Sequence, residues 1–393
     1  MSNNHDIAIV GGAGHVGLPL AFFLAKKKCN VLVVDKDKNK IDLIKNKKLP
    51  FIEEGLGHLI KNQDQYKIDF TTNISKIINS KIIIITLGTP IDEFLNPDYR
   101  TFFNIFNEIT KYLNNTQTII LRSTLAPGTT RKIIELLKKK NIKAGVAFCP
   151  ERISQGKGVK ELAALPQIIS YSNLKTKKIC TQLFKKMTKN IIECSFEEAE
   201  VAKLFCNSWR YLKFAIANEF YKICESNSLN FENVRRAMVQ DYDRAKDFPT
   251  SGFAAGPCLL KDTMQLSSFS RQIFTFGHSA MLVNESLPEF IVDEFKRKIN
   301  IKNKNVAILG MAFKPENDDS RDSLAFKLKK KLETENCKVH CHDPFMDRYK
   351  KNKLSEILNK CKIVFIGCPH KVYSKIKYGK NVKVINCWGS FKQ

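Results

Sequence analysis

The sequence predicts an α/β protein in which a long central helix joins two doubly wound domains. Three observations predict this fold. Apolar strands alternate with helical segments in the first half, a long segment without glycine or proline follows, and the strand pattern resumes after Asn300. Alternation of strands with helices is typical of parallel sheets. A chain of 393 residues has room for two or three domains of about 100–200 residues each.

Short apolar runs mark the strands of the first domain. Each run has the length of a strand rather than of a helix, and the segments between successive runs are long enough for helices. The predicted strands are Ile7–Val10, Val31–Val34, Ile82–Ile85, Thr118–Leu121 and Val146–Phe148.

The middle of the chain is predicted to be helical. No glycine or proline occurs from Gln167 to Phe248, which favours long helices, and apolar spacing predicts one helix over Glu197 to Cys224. We therefore divide the chain into residues 1–195, a helical region 196–299, and a second α/β domain 300–393. The strands predicted in that second domain are Val306–Leu309, Val339–His342, Ile363–Ile366 and Val382–Ile385.

The formal net charge of +26 has two interpretations. One is a compositional bias towards Lys, Asn and Ile, and the other is a positive field that attracts an anionic ligand. Only 12 of the 65 basic residues are Arg, and the lysines are dispersed along the chain. Nucleic-acid binders tend to use Arg to contact bases and phosphates, so the composition disfavours a non-enzymatic nucleic-acid-binding protein.

Composition also argues against several other classes of protein. No apolar run approaches the ~20 residues of a membrane span, so we expect no membrane partner. The polar segment Met1 to Asp6 leads directly into a strand, and we expect a cytoplasmic protein without a signal peptide. The 12 cysteines show no C-x-x-C spacing, which argues against a zinc site or a disulfide framework. We expect no metal.

A glycine-rich motif, Gly12-Ala13-Gly14-His15-Val16-Gly17, follows the first predicted strand and precedes a helix. Its three glycines permit a tight turn, approach of backbone amides to a pyrophosphate, and close helix–strand packing. Asp35 ends the second strand, where a carboxylate accepts hydrogen bonds from ribose hydroxyls and repels a 2′-phosphate. The motif predicts a Rossmann-like domain that binds NAD rather than NADP.

Further short motifs run in order along nearly the whole chain. They are Val16-Gly17-Leu18-Pro19, Pro50-Phe51, Glu53-Glu54-Gly55-Leu56, Gly88-Thr89-Pro90, Arg122-Ser123-Thr124, Pro127-Gly128-Thr129-Thr130, Cys149-Pro150-Glu151-Arg152, Ala199-Glu200, Lys203-Leu204, Asn207, Asn218-Glu219, Gly256-Pro257-Cys258, Lys261-Asp262, Gly310-Met311-Ala312-Phe313-Lys314 and Asp318-Asp319-Ser320-Arg321. In this order they resemble the nucleotide-sugar 6-dehydrogenases, the family of UDP-glucose and UDP-N-acetylmannosamine dehydrogenases.

The resemblance implies an NAD-dependent oxidoreductase that oxidises the C6 hydroxymethyl of a UDP-sugar to a carboxylate in two steps. It implies an NAD-binding Rossmann domain, a central helical region for dimerisation and catalysis, and a Rossmann-like UDP-sugar-binding domain, in a homodimer that serves polysaccharide biosynthesis. The motif Pro150-Glu151-Arg152 resembles the N-acetylhexosamine branch of the family. The segment Cys258 to Asp262 resembles the glucose branch, so the sequence leaves the sugar open.

Oxidation of an alcohol to an acid requires a group that holds the intermediate aldehyde, and a cysteine can do this as a thiohemiacetal and then a thioester. The resemblance assigns this role to Cys258. Lys203 and Asn207, four residues apart on a predicted helix, can donate to an oxyanion. Glu151 is a candidate base for thioester hydrolysis. The resemblance completes the catalytic set with two further residues, Asp262 and Thr124.

The motif and the resemblance together predict the ligand contacts. The predicted NAD contacts are Gly12, Gly14, His15, Val16, Gly17, Asp35, Lys40, Gly88, Thr89, Pro90, Ser123, Thr124, Lys261 and Arg321. The predicted substrate contacts are Glu151, Arg152, Lys203, Asn207, Arg210, Tyr211, Asn218, Arg244, Phe313 and Lys314, of which Arg244 is expected to reach the neighbouring subunit's sugar.

One further enzyme class remains open from the sequence. A two-domain NAD enzyme of the hydroxyacid or 6-phosphogluconate type would share the glycine-rich motif and the α/β organisation. It would make a single hydride transfer and would not need Cys258, so the number of NADH molecules formed per product distinguishes the two classes.

Overall fold

The computed structural model of the protein describes residues 5–89, 91–271 and 273–389. The chain divides between Phe205 and Cys206 into two compact units, each with its own hydrophobic core. Each unit contains a Rossmann-like parallel sheet, and a long helix crosses the boundary in the sequence. The predicted fold class is therefore confirmed.

The first unit is built on one sheet, ordered β3-β2-β1-β4-β5-β6-β7-β8 over the described residues. All neighbouring strands are parallel except β6 and β7. The strands are β1 (Ile7–Val10), β2 (Val31–Val34), β3 (Ile68–Thr71), β4 (Ile82–Ile85), β5 (Thr118–Leu121), β6 (Gly145–Phe148), β7 (Gln167–Tyr171) and β8 (Ile191–Glu193).

Helices cover both faces of this sheet, which explains why its central strands are apolar at nearly every position. In β1, Ile7 and Ile9 pack into one core, whereas Ala8 and Val10 pack into the core on the other face. The helices are α1 (Gly17–Lys26), α2 (Lys38–Lys45), α3 (Leu56–Lys61), α4 (Tyr99–Thr110), α5 (Thr129–Lys139), α6 (Gly158–Ala164) and α7 (Leu174–Phe184), with 3₁₀ turns at Gln63–Gln65 and Ile74–Asn79.

The long central helix, α8, runs from Phe196 to Ser226 and has 31 residues. Ser195 and Glu198 form a capping box at its start. The Ser195 hydroxyl accepts from the Glu198 backbone N–H at 3.3 Å, and the Glu198 carboxylate accepts from the Ser195 N–H at 2.8 Å. The predicted helix over Glu197 to Cys224 lies inside these bounds.

The second unit carries helices and then a smaller parallel sheet, ordered β10-β9-β11-β12 over the described residues. No helix in residues 5–89, 91–271 and 273–389 is both long and apolar enough to cross a membrane. The elements are α9 (Phe231–Val239), α10 (Leu259–Phe269), α11 (Thr275–Lys298), β9 (Asn305–Leu309), α12 (Leu324–Thr334), β10 (Lys338–His342), α13 (Asp347–Lys350), α14 (Leu354–Lys360), β11 (Ile363–Ile366), a 3₁₀ turn at Tyr373–Lys375, and β12 (Lys383–Asn386).

The structure differs from the sequence-based expectation in three strands. The stretch from Gln167 was expected to be helical, but β7 and β8 lie in it on either side of α7. The absence of glycine and proline permits a helix without requiring one, and the β-branched Ile168 and Ile169 favour a strand. Strand β3 was not predicted because Asp69 interrupts its short apolar run.

Candidate active site

The glycine-rich loop between β1 and α1 has the shape that a dinucleotide pyrophosphate requires. A Cβ at Gly12 would lie 2.6 Å from the Ile9 carbonyl oxygen, and one at Gly17 would lie 2.6 Å from the Gly12 Cα. At Gly14 the nearest atom would be 3.4 Å away. Side chains are therefore excluded where the loop packs on itself, while the backbone near Gly14 stays accessible to a ligand at the helix N-terminus.

Asp35 stands beside this loop at the end of β2. Its Oδ2 accepts from the Ala13 N–H at 3.0 Å, and its Oδ1 accepts from the Asp37 N–H at 3.0 Å. The carboxylate is thus fixed next to the pyrophosphate loop, where it fits ribose hydroxyls and disfavours a 2′-phosphate. Lys40 contacts Asp37, with Nζ 3.6 Å from the carboxylate. The loop and the acid together fit NAD.

Other predicted NAD contacts lie at the same edge of the sheet. Strands β1, β4 and β5 are neighbours, so the segments that follow them, including Gly88-Thr89 and Ser123-Thr124, meet at their carboxyl ends. Val16 is the N-cap residue of α1. The His15 ring lies 3.9 Å from the Phe51 ring centroid. Pro90 was also predicted and lies outside the described residues.

A buried ion pair joins the segments that follow β5 and β6. Arg122 comes after β5 and Glu151 after β6, and the Arg122 Nη2 donates to the Glu151 Oε2. Arg122 and Glu151 are only 2% and 8% exposed. Arg122 also donates to the Gln167 Oε1 at 2.9 Å, and its guanidinium lies 5.1 Å from the Phe184 ring centroid.

The second oxygen of Glu151 is held by the backbone. Its Oε1 accepts from the Arg152 N–H at 2.8 Å and from the Ile153 N–H at 3.1 Å. A cavity of about 10 Å³, enough for one water molecule, lies among Arg122, Glu151 and Arg152. We predicted no role for Arg122 from the sequence, although it belongs to the motif Arg122-Ser123-Thr124. The carboxylate is therefore fixed in place with a water-sized space beside it.

Helix α8 carries predicted catalytic residues on its buried face. Glu200 is fully buried and accepts from the Thr130 N–H at 2.8 Å and the Gly128 N–H at 2.6 Å, so it caps the start of α5. Burial raises the pKa of Glu200. Lys203 and Asn207 follow at intervals of three and four residues and are 8% and 6% exposed.

In the second unit, Asn207 and Lys261 contact the same carboxylate. The Asn207 Nδ2 donates to the Asp262 Oδ2 at 2.5 Å, and the Lys261 Nζ donates to the Asp262 Oδ1. Asp262 is fully buried, so its charge requires these partners. Lys261 was predicted to approach the NAD phosphates, and in this structure it pairs with Asp262.

Cys258 lies at the start of α10, one turn before Asp262, and it is exposed. Cys258 is the N-cap residue of α10 and therefore lies at the positive end of the helix dipole. A cation is also close. The pKa of Arg321 is raised, mainly by its hydrogen bonds to Asp319 and further by Cys258 and Asp322. The thiol is thus accessible and interacts electrostatically with the Arg321 guanidinium.

The loop before Cys258 is tightly held. Gly256 has φ +99°, and a Cβ there would lie 2.5 Å from the Phe313 ring, so only glycine fits this contact. Earlier in the loop, Asn218 of α8 donates to the Gly252 carbonyl at 3.0 Å and accepts from its N–H at 2.8 Å. Phe313, a predicted substrate contact, therefore packs against the loop that presents Cys258.

The remaining predicted substrate contacts differ in exposure. Tyr211 and Asn218 are fully buried, and burial raises the pKa of Tyr211. Arg210 and Arg244 are exposed, and Lys314 is half-buried. Tyr211 packs in a small apolar cluster with Leu259 of α10 and Ala280 of α11, among others. Its contacts and those of Asn218 hold α8 against the Cys258 segment, and their roles towards substrate stay predictions.

Comparison with known proteins agrees with this geometry. Residues 5–188 match the NAD binding domain of the UDP-glucose/GDP-mannose dehydrogenase family. Residues 197–286 match its central domain, and residues 307–389 match its UDP binding domain.

Individual relatives are similar over nearly the whole chain. The UDP-N-acetyl-D-mannosamine dehydrogenase of Methanocaldococcus jannaschii is 30% identical over 372 residues, which cover 92% of this chain and 85% of the relative. The UDP-glucose 6-dehydrogenase of Bacillus subtilis is 25% identical over 399 residues, covering 99% and 89%. The solved structure of UDP-D-ManNAc dehydrogenase from Pyrococcus horikoshii is 25% identical, with a TM-score of 0.88 and coverage of 97% and 94%. The chain belongs to the UDP-glucose/GDP-mannose dehydrogenase family, and its cofactor is NAD.

Proposed function

We propose that the protein oxidises the C6 hydroxymethyl group of a UDP-sugar to a carboxylate in two steps. The observation that carries this proposal is the exposed Cys258 at the start of α10, next to the cluster that Lys261 forms with the buried Asp262 and Asn207. An enzyme that makes a single hydride transfer has no need of such a thiol. Bound NAD accepts one hydride at each oxidation, so two NADH form per product.

In this proposal Cys258 holds the substrate between the two oxidations. Its thiolate attacks the C6 aldehyde and forms a C–S bond, which gives a thiohemiacetal. Oxidation of that adduct gives a thioester, and attack by water releases the carboxylate and returns the thiol. Arg321 and the N-terminus of α10 stabilise the thiolate at the start and at the end of this sequence.

Lys203 and Asn207 are proposed to stabilise the negative charge that develops on the C6 oxygen. The Asn207 amide has two N–H groups. One donates to Asp262, so the other can donate to the substrate oxygen. Lys203 adds a positive charge one turn away on the same helix. Asp262 is proposed to act through Asn207 by fixing the orientation of its amide.

Glu151 is proposed to activate the water that hydrolyses the thioester, and Thr124 to help position that water. The bonds from Arg122, Arg152 and Ile153 orient the Glu151 carboxylate. Each carboxylate oxygen has two acceptor sites, so these three donors leave room for a water molecule. The small cavity beside Glu151 is large enough to hold it.

For the substrate, we propose a UDP-N-acetylhexosamine. The Pro-Glu-Arg segment with Gln155 in place of a second carboxylate supports this choice, as does the 30% identity to a UDP-N-acetyl-D-mannosamine dehydrogenase. UDP-glucose is the second candidate because the segment Cys258 to Asp262 resembles the glucose branch. The proposed substrate contacts beyond the catalytic residues are Arg152, Arg210, Tyr211, Asn218, Arg244, Phe313 and Lys314.

We also propose that the protein forms a homodimer through α8. Trp209, Ile216, Phe220 and Ile223 are 43–54% exposed and are spaced by seven, four and three residues, which places them on one face of the helix. Exposed apolar side chains in such a row mark an interaction surface, and a second copy of the chain would bury them. In that dimer the exposed Arg244 is proposed to reach the partner's sugar.

The experiment that tests the reaction is a substrate panel at saturating NAD. UDP-N-acetylmannosamine, UDP-N-acetylglucosamine, UDP-N-acetylgalactosamine and UDP-glucose are compared by NADH absorbance and by chromatography of the sugar product. We expect two NADH per UDP-uronate with at least one N-acetylhexosamine. One NADH per product would contradict the two-step reaction, and turnover of UDP-glucose alone would contradict the choice of sugar.

A further inference from the structure

A buried histidine–aspartate pair lies at the carboxyl edge of the smaller sheet, and the proposed reaction does not use it. Asp343 directly follows β10, and His370 follows β11. Both residues are fully buried, and the His370 Nε2 lies 3.1 Å from the Asp343 Oδ2. Burying two titratable groups is costly, so their contacts merit a functional explanation.

Asp343 holds the beginning of the segment that follows β9. Its Oδ2 accepts from the Met311 N–H at 2.7 Å and from the Ala312 N–H at 3.0 Å, and its Oδ1 accepts from the Phe345 N–H at 2.9 Å. Burial alone would raise the pKa of Asp343, but His370 and the backbone donors outweigh burial and the pKa is lowered. The aspartate is therefore an ionised anchor for this segment.

His370 holds the end of the same segment. Its Nδ1 lies 3.0 Å from the Glu316 backbone nitrogen, whose N–H donates to it. A backbone N–H can only donate, so Nδ1 carries the lone pair and Nε2–H donates to Asp343. Glu316 has φ +55°, a conformation that costs a non-glycine residue energy, and the contact with His370 helps to maintain it.

The two residues thus fix both ends of Met311–Glu316, and Phe313 and Lys314 lie between those ends. We propose that His370 and Asp343 are positioning residues that set the conformation of Phe313 and Lys314 for binding of the UDP part of the substrate. The inference rests on the proposed function, which assigns those two residues to the UDP-sugar.

Two substitutions at His370 separate its two hydrogen bonds. His370→Gln places an amide near the Nε2 position, which keeps the contact with Asp343 and removes the acceptor for Glu316. His370→Asn places an amide near the Nδ1 position, which keeps an acceptor for Glu316 and removes the contact with Asp343. Asp343→Asn removes the charge while preserving the size of the anchor.

The measurement is calorimetric titration of each full-length variant with UDP alone and with NAD alone, together with KM and kcat. We expect His370→Gln to raise the Kd for UDP and the KM for the UDP-sugar by about tenfold, the loss of one positioning hydrogen bond. The NAD affinity should stay within about twofold of wild type, since the glycine-rich loop and Asp35 belong to the other compact unit. His370→Asn should lose less UDP affinity than His370→Gln.

Unchanged UDP affinity in both His370 variants would overturn the inference, as would an equal loss of UDP and NAD affinity, which indicates a general structural role. If His370→Gln does not fold, Asp343→Asn decides by the same comparison of UDP with NAD. Wild-type protein that binds NAD but not UDP would refute the proposed function itself, and this result is distinct from either failure of the inference.

Discussion

At the scale of single residues, the sequence motif identified Cys258 and the structure supplies its environment. The thiol is exposed at the start of α10, close to the Arg321 guanidinium, whereas nine of the described cysteines are buried. Burial raises the pKa of Cys341 and Cys361 to about 11, which keeps those thiols protonated and unreactive near neutral pH. Cys258 is therefore the cysteine best placed for covalent chemistry.

Substitution of Cys258 tests the covalent step. We expect Cys258→Ala to abolish formation of the acid while both ligands still bind. Cys258→Ser can attack the aldehyde but yields an ester, a poorer acyl donor to water, so it should release a burst of NADH and then stall. Intact-protein mass spectrometry should detect the sugar bound covalently to this variant.

The half-buried Cys194 provides the matched control. Cys194→Ser should turn over at nearly the wild-type rate and should carry no covalent sugar. Full oxidation to the acid by Cys258→Ala would refute the thioester route and would favour a dehydrogenase that makes one hydride transfer.

Lys203 and Asn207 differ from surface residues on the same helix because both are buried. We expect Lys203→Ala and Asn207→Ala each to lower kcat by about 10²–10³-fold while NAD still binds, the usual cost of an oxyanion donor. Because the two side chains serve one charge, the double variant should lose less than the product of the single losses.

Lys213, farther along α8, forms an ion pair with Asp247 and provides the control. Lys213→Ala should leave kcat within about twofold of wild type, since its partner is exposed and the pair contributes little. Near-normal kcat in Lys203→Ala or Asn207→Ala would show that the buried pair is structural. Thermal melting of each variant separates loss of folding from loss of catalysis.

At the scale of elements, the proposed function gives the two faces of α8 different roles. One face is buried and carries Lys203, Asn207 and Asn218, which holds the loop before Cys258 at Gly252. The other face presents exposed apolar side chains, including Trp209 and Ile216. Dimerisation through the second face would fix the helix that carries the proposed catalytic residues.

This arrangement predicts the effect of charge on the exposed face. Trp209→Glu combined with Ile216→Glu should convert a dimer into a monomer in analytical ultracentrifugation at micromolar concentration, because two carboxylates cannot be buried there without partners. Leu174→Glu is the control, since Leu174 is 77% exposed at the start of α7 and is not one of the side chains of this face. A wild-type protein that sediments as a monomer, or a variant that stays dimeric, would contradict the assignment.

At the scale of the whole molecule, the predictable features are those with a strong local signal. Strands β1, β2, β4, β5 and β11 follow the predicted bounds because each is an apolar run, broken only by Thr118 in β5, and has a neighbouring strand on both sides. Strands β3 and β8 are the edges of their sheet and are short and partly polar, so their pattern is weak. Motif order correctly predicted the family, and the glycine-rich motif with Asp35 correctly predicted NAD as the cofactor.

Contacts between distant segments could not be predicted in this way. The Arg122–Glu151 pair joins residues that are 29 positions apart, and it exists because β5 and β6 are neighbours in the sheet. His370 and Asp343 meet because β10 and β11 both pair with β9. A single sequence contains no signal for such pairings until the order of strands is known.

Titration of buried groups should make the stability of the folded chain depend on pH in opposite directions. Burial lowers the pKa of His342, so its contribution is complete above the unfolded value of about 6.5 and is lost as pH falls through the lower folded pKa. Burial raises the pKa of Glu200, so its contribution is lost as pH rises through that raised pKa. Asp343 adds to acid sensitivity at still lower pH, because its pKa is lowered.

Comparison of variants isolates the histidine. We expect the free energy of unfolding of the wild type to fall more steeply between about pH 7 and pH 5 than that of His342→Gln, by at most about 1.4 kcal/mol per pH unit for one proton. Urea titrations at several pH values measure this difference. His340→Gln, a half-buried position on the same strand, is the control for the effect of the substitution itself. Identical slopes for wild type and His342→Gln would mean that His342 is protonated as readily in the folded chain as in the unfolded chain.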